Sequence, residues 1–238
     1  MAEWKAKRFW KAAGIAQVPG GWQVELDGRP VRTPAKAPLI LPGRPLAEAI
    51  AAEWDAQGEV VDPLSMPMTR SANAAIDKVA PQFDEVAALI AAYGETDLCC
   101  YRADGPEALR ALQAQAWDGL LGWAREALGA PLVQVTGIVP VPQPQDSLAR
   151  LRERVFALDP FALTALHDLV AISGSLLVGL AALEERFAIG DLWEWSRVDE
   201  AYQESLWGRD EEAAVMALHK RAEFLHAAAF WRLSRIPD

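Results

Sequence analysis

The alternation of hydrophobic and polar residues changes character near residue 43. From Arg8 to Pro42 the period is two: Trp22, Val24 and Leu26 share one face while their neighbours are polar. Pro19-Gly20-Gly21 and Asp27-Gly28 are turn signals of the kind that close hairpins. RPVRT and APLILP read as further extended pieces. Pro30, Pro34, Pro38 and Pro42 belong at strand ends or sheet edges, because proline has no N–H to give to a ladder. Residues 1–43 are therefore expected to form a small antiparallel β-sheet domain.

From Pro45 onward the period is helical. Leu46, Ile50 and Trp54 recur at steps of four, with Gly58 as a stop. Thr69 is positioned to cap a short helix reaching Val79. Another helix begins near Pro81, with Val86, Leu89, Ile90 and Tyr93 on one face and Gly94 as its end. A longer one carries Leu109, Leu112, Ala116, Leu120, Trp123 and Ala127 and closes at Gly129. The segment 138–146, with Pro140, Pro142 and Pro144, is extended and semi-rigid. The apolar run 169–183 reads as one buried helix in which Ser173, Gly174, Ser175 and Gly179 allow close approach of neighbours. The fold class expected is α+β: a small N-terminal antiparallel β domain, then a larger all-helical C-terminal domain over 44–238.

Polar and apolar faces separate most sharply over 191–213. Leu192, Trp195, Val198, Tyr202 and Leu206 share one side of a single expected helix, and Glu194, Arg197, Glu200, Gln203 and Glu204 point away from it. Gly208 is a natural C-terminal stop. Asp210 can then cap the last helix, running to about Leu233, with Glu211 and Glu212 in its first turn, where the helix dipole favours negative charge. These acids are either a good cap or a charged face offered to a partner. Of the 10 tryptophans, Trp22, Trp54, Trp117 and Trp123 fall on core faces, whereas Trp193, Trp195 and Trp207 surround this acidic element as core or as interface anchors.

Composition narrows the function classes. With 52% hydrophobic and 24% charged residues, the chain has the balance of a folded soluble protein and not of a disordered one. Its net charge of −10, with no basic run, argues against nucleic acid, whose phosphates require clustered Lys and Arg. Cys99 and Cys100 are too few and too close for a disulfide framework or a zinc site, and read as a buried apolar pair in a reducing compartment. MAEWKAKRFW carries no apolar signal segment, and the run 169–183 is shorter than the ~18 to 20 residues that span a bilayer. A cytoplasmic chain without membrane insertion is expected.

Motifs for catalysis are weak. Gly174 to Gly179 has phosphate-loop spacing, but Leu180 and Ala181 stand where Lys and Ser or Thr are required. No G-x-G-x-x-G follows a strand and no G-x-S-x-G is present. Glu95 and Asp97 are a possible acid/base pair with no nucleophile beside them, so helix capping is favoured. His219, Glu223 and His226 share a face of the last helix, but seven residues rise about 10.5 Å, too far for both histidines to reach one zinc. The alternative function is a metal-dependent hydrolase or lyase built on His219 and Glu223. The favoured expectation has no catalytic residue, no metal and no cofactor.

Several strings taken together resemble one family: GGWQVELDGRPVRTPAKAPLILP, LAEAIAAEWDAQ, MPMTRSANAAID, YGETDLCCYRA, QAWDGLLGWA, SGSLLVGLA and WSRVDEAYQESLWGRDEEAA. They are similar to the assembly chaperones of F-type ATP synthase that act on the alpha subunit of its soluble catalytic head. The resemblance spans nearly the whole chain. It implies an ATP-independent holdase, monomeric when free, that shields the beta-contacting surface of unassembled alpha subunit. Carried over residue by residue, the family's acidic motif matches Trp207, Gly208, Asp210, Glu211 and Glu212, and its upstream helix matches Ser196, Arg197, Val198, Asp199 and Glu200. The partner-binding residues expected are Glu211, Glu212, Asp210, Trp207, Arg197, Asp199, Glu200 and Trp195. A Glu-Trp-Asp block matches Glu53, Trp54 and Asp55, where Trp54 is expected to serve folding first.

Overall fold

A computed structural model describes residues 7–235; the first six residues, counted above with the N-terminal sheet, lie outside the described residues. The class is α+β, with a small antiparallel sheet followed by a larger helical region. The described chain divides into two compact units, one made of residues 7–83, 160–164 and 229–235, the other of 84–159 and 165–228.

In the first unit, β1 (Ala13–Val18) and β2 (Gly21–Leu26) form a hairpin with Val18 opposite Gly21, so Pro19-Gly20 is its turn. Strands β3 (Arg29–Pro30) and β4 (Ile40–Leu41) share the other edge of β2. Asp27 and Gly28, at φ 49° and 77°, make the tight turn that the dipeptide predicts. The Asp27 carboxylate accepts the backbone N–H groups of Lys11 and Ala12, each at 3.0 Å at closest, and these bonds hold its pKa below the usual carboxylate range. Helix α1 (Arg44–Asp55) has Pro45 in its first turn and packs on β1, β2 and β4, burying Leu46, Ala47, Ile50 and Ala51. Trp54 is half-buried and meets the buried Trp10 edge-on at 5.2 Å.

Helix α2 (Pro67–Ala74) continues as a wide π turn over Ala75–Val79. Its start corrects the expectation at Thr69, which lies inside the helix. The cap comes from Glu53, whose carboxylate accepts the N–H groups of Met68 and Thr69, at 2.6 and 2.8 Å, and the Thr69 hydroxyl at 2.7 Å.

The second unit contains α4 (Glu107–Glu126), α5 (Gln145–Phe156), α7 (Leu176–Leu183), α8 (Ile189–Trp195) and α9 (Val198–Trp207), and all of α3 (Phe83–Ala91), α6 (Pro160–Ser173) and α10 (Glu211–Arg235) except residue 83, residues 160–164 and residues 229–235, which belong to the first unit. It is not wholly helical. Two short strands, β5 (Tyr101–Arg102) and β6 (Val135–Thr136), pair in parallel ahead of the proline-rich segment. On α4 the buried face carries Gln113, Ala116, Trp117, Leu120, Leu121, Trp123 and Ala124, while Leu112 faces solvent.

The apolar run 169–183 is two helices and not one. Gly174 turns the chain at φ 73°, and Ser175 caps α7 by accepting the Val178 N–H at 3.1 Å. Every residue of α7 is buried. Gly179 explains how it fits against α6: a Cβ there would sit 2.6 Å from Val170 Cγ2 and 2.8 Å from Leu166 Cδ1. No helix among the described residues is long and apolar enough to cross a membrane.

Candidate partner-binding surface

The expected single helix over 191–207 is broken at Ser196 and Arg197 into α8 and α9. Ser196 is buried and its hydroxyl donates to the Trp193 carbonyl at 2.7 Å, which takes up an end group of α8 and lets the chain change direction. The apolar stripe is divided accordingly. Leu192 and Trp193 enter the core, where Trp193 lies 5.8 Å from Phe224, and Leu206 at the far end of α9 emerges into solvent.

Half of the expected site residues are engaged inside the unit. Trp195 is half-buried, packs edge-on to Phe187 at 5.1 Å, and its carbonyl accepts the Trp117 indole N–H at 2.7 Å. Arg197 lies over the Trp193 ring at 5.5 Å and pairs with Glu204 at 3.3 Å and Glu200 at 3.9 Å. Asp199 accepts the Gln113 amide at 2.7 Å, tying α9 to α4. These contacts hold α9 in place.

The other half gathers at the turn between α9 and α10. Gly208, at φ 86°, ends α9 with its N–H on the Glu204 carbonyl at 3.0 Å. Asp210 caps α10, its carboxylate accepting the Ala213 N–H at 2.9 Å. Glu211 and Glu212 follow in the first turn, exposed and without an ion pair among the described residues.

Around these acids stand apolar side chains that sequence reasoning missed as a surface. Leu206, Trp207, Val215, Met216 and Leu218 are 56, 78, 63, 54 and 61% exposed, while the only residue buried between Glu211 and Arg221 is Ala214. The signal was present in the spacing: Val215, Leu218 and Ala222 fall on one face of α10, and Phe224 and Ala227 on another. A helix with two apolar faces can bury only one against its own domain. Clustered exposed apolar residues rimmed by charge are the mark of a protein–protein surface.

The chemical alternatives gain little from the geometry. His219 Nε2 lies 3.2 Å from Glu223 Oε1 on the exposed side of α10. No group of three or more His, Cys, Asp or Glu side chains able to hold a metal ion is brought together among the described residues. Asp97 is buried and acts as a cap: it accepts the Cys99 N–H at 3.0 Å, the Ser175 hydroxyl at 2.7 Å and the Leu177 N–H at 3.0 Å. Burial raises its pKa against the pull of those bonds. Burial likewise pushes the Cys99 thiol up, and the Cys100 thiol to about 12, so both are inert. Glu95 is exposed and takes no part in this cluster.

Apolar side chains held at solvent on a helical domain suit a chaperone, a protein that covers another's sticky surface. A family model described as ATP12 chaperone protein matches residues 7–125, and the chain belongs to that family of ATP synthase assembly chaperones. The crystal structure of Atp12 from Paracoccus denitrificans is 54% identical, covers 98% of this chain and 100% of its own, and superposes with a TM-score of 0.95. A point mutant of the same protein, at 53% identity, gives the same score and coverage. A protein from Agrobacterium tumefaciens is 40% identical, with a TM-score of 0.89, over 96% of this chain and 85% of its own.

Proposed function

We propose that this chain is an ATP-independent holdase for the unassembled alpha subunit of ATP synthase, and that the turn between α9 and α10 contributes to the holding surface. The observation that carries the reading is the exposed cluster Leu206, Trp207, Val215, Met216 and Leu218 beside Glu211 and Glu212, on a member of an assembly-chaperone family. A subunit made for an obligate assembly exposes large apolar interfaces while alone, and such surfaces aggregate. Covering one needs no nucleotide and no catalysis, only an affinity that the true partner exceeds. The chain acts as a monomer in the cytoplasm and is displaced when beta subunit buries the same surface of alpha.

Light scattering of isolated alpha subunit at a temperature where it aggregates, with nucleotide omitted, tests this directly. Suppression at near-equal molar ratio is expected. The variant Glu212→Lys should keep wild-type circular dichroism and melting yet weaken capture by about tenfold, the effect of a single central interface residue. Unsuppressed aggregation together with no complex on gel filtration refutes the proposal.

A further inference from the structure

The segment 132–136 has the composition of a strand but uses only one side of it. Val133, Val135 and Thr136 are β-branched, and no glycine, proline or charge lies among these residues. Only its end, β6, is paired, with β5 on one side. Gly137 donates its N–H to the Arg102 carbonyl at 2.8 Å, and Val133 has its N–H and C=O both taken by the buried Gln143 side chain, at 2.7 and 3.0 Å. These odd-numbered residues direct their backbone groups to one side. Because such groups alternate along an extended chain, Gln134 and Thr136 turn theirs the other way, where they have no partner among the described residues. Both residues are exposed. An unpaired strand edge with no lysine or proline to blunt it is a template for another strand.

That edge borders a groove against α4. The chain runs back alongside the helix: Pro131 and Leu132 line one cavity, of about 420 Å³, with Leu121, Gly122 and Arg125. Val135 and Thr136 line the next, of about 410 Å³, with Arg110, Ala111 and Ala114. Asp118 and Gln134 belong to both, so the two are continuous. From residue 111 to residue 122 the helix rises about 16 Å, the length of about five extended residues. We infer that this groove receives an extended, uncharged segment of the client, which adds a strand to the open edge of β6 and places alternate side chains in the two cavities. The inference rests on the holdase reading above and adds a second contact to it. Recognition is through the backbone, because Gln134 and Thr136 each present an N–H and a C=O, and a client helix has none to return. Charge gives nothing further: Arg102 is paired with Asp118 at 2.8 Å, Arg110 with Glu107 at 3.4 Å and Arg125 with Glu126 at 2.8 Å, so every arginine lining the groove already has its carboxylate. A chain that has not yet met its assembly partners is the one that carries unpaired strand edges. A second copy of this chain would be held by this strand alone, far short of the about 1,200 Å² that a stable interface between folded chains buries, and the net charge of −10 on each copy opposes it. The client is held at the turn between α9 and α10 as well.

The test uses the full chain and isolated alpha subunit. Gln134→Pro removes an N–H that has no partner in the free chain, at a strand edge where proline is tolerated, so melting should be unchanged. Gln134→Ala keeps that N–H and removes only the side chain. The proline variant is expected to weaken capture about fivefold to tenfold, and the alanine variant to stay within about twofold of wild type. Hydrogen exchange on the wild-type complex needs no variant. On capture the amides of Gln134 and Thr136 should slow at least about tenfold, together with one stretch of about five uncharged residues in alpha. Wild-type capture with exchange at Gln134 and Thr136 unchanged, and equal capture by the proline variant, overturns the inference and leaves the holdase reading standing. Protection of these amides that grows with chain concentration in the absence of alpha overturns it too, because a second copy is then the occupant. Failure of the wild-type chain to capture alpha at all removes both.

Discussion

Replacing Asp97 by asparagine isolates one hydrogen bond at the centre of the second unit. In the wild-type chain one carboxylate oxygen accepts the Cys99 N–H and the Ser175 hydroxyl, and the other accepts the Leu177 N–H in the first turn of α7. Asparagine keeps a single acceptor oxygen. If that oxygen stays with Cys99 and Ser175, the amide nitrogen faces Leu177, donor against donor, and a buried N–H loses its partner. An orphaned buried donor costs about 1–3 kcal/mol. The raised pKa of Asp97 says that burial works against its charge, so loss of the charge alone is not what destabilises the variant. Taking about 2 kcal/mol, and about 2–4 °C of melting temperature per kcal/mol in a chain of this size, Asp97→Asn should melt about 4–8 °C below wild type. The pH dependence has a definite sign. Because the folded pKa is raised, the folded protein binds this proton more tightly than the unfolded chain. Asp97 therefore adds stability as pH falls from the folded pKa to the ordinary carboxylate value, and that contribution is lost as pH rises again. The gap between wild type and variant should widen on acidification. Urea denaturation of both proteins at matched pH measures it, and a variant as stable as wild type at neutral pH refutes the capping role assigned to Asp97.

Gly179→Ala should cost about 1–3 kcal/mol in chemical denaturation, because the new methyl lies against Val170 and Leu166; an unchanged midpoint means that α6 and α7 yield more easily than their spacing indicates. Glu53→Ala removes the cap of α2 and should lose about 1–2 kcal/mol, read by thermal unfolding, with hydrogen exchange accelerated first at Thr69 and Arg70. The lowered pKa of Asp27 predicts that Asp27→Asn is less stable than wild type above the ordinary carboxylate pKa and that the gap closes as pH falls through the folded value; a gap that grows on acidification is the contrary result. Stoichiometric metal in the purified chain, lost in His219→Ala, would show that the His219 and Glu223 pair recruits ligands from elsewhere.

Features encoded by one or two adjacent residues were legible in the sequence. Asp27-Gly28 forms its turn, Gly208 and Asp210 end and begin the expected helices, and Cys99 and Cys100 are buried together, because each depends on local backbone geometry or on apolarity alone. Features supplied from a distance were not. Glu53 caps a helix that starts at Pro67, and Asp97 stabilises the break between α6 and α7 through Ser175 and Leu177. No periodicity within 169–183 announces a carboxylate from residue 97. The surface on α10 was hidden for a different reason. Val215 and Leu218 have the same spacing whether they face a core or a partner, and only the placement of Phe224 and Ala227 on the other side decides between them. Of the residues carried over from the family pattern, Glu211, Glu212 and Trp207 stand in solvent, while Trp195, Arg197 and Asp199 fix the helix that leads to them.

The first turns of α10 owe little to the core, since Ala214 is the only residue buried there before Phe224. Their local opening free energy is therefore set mainly by the Asp210 cap and by intrinsic helix propensity, well below that of the global fold. This segment can fray, shift or re-form without disturbing Trp193 and Phe224 beneath it. On the holdase reading proposed above, such a contact face would adapt to an imperfectly folded client and give it up again by unwinding a turn or two, so that release would follow local helix–coil motion and leave the rest of the protein intact.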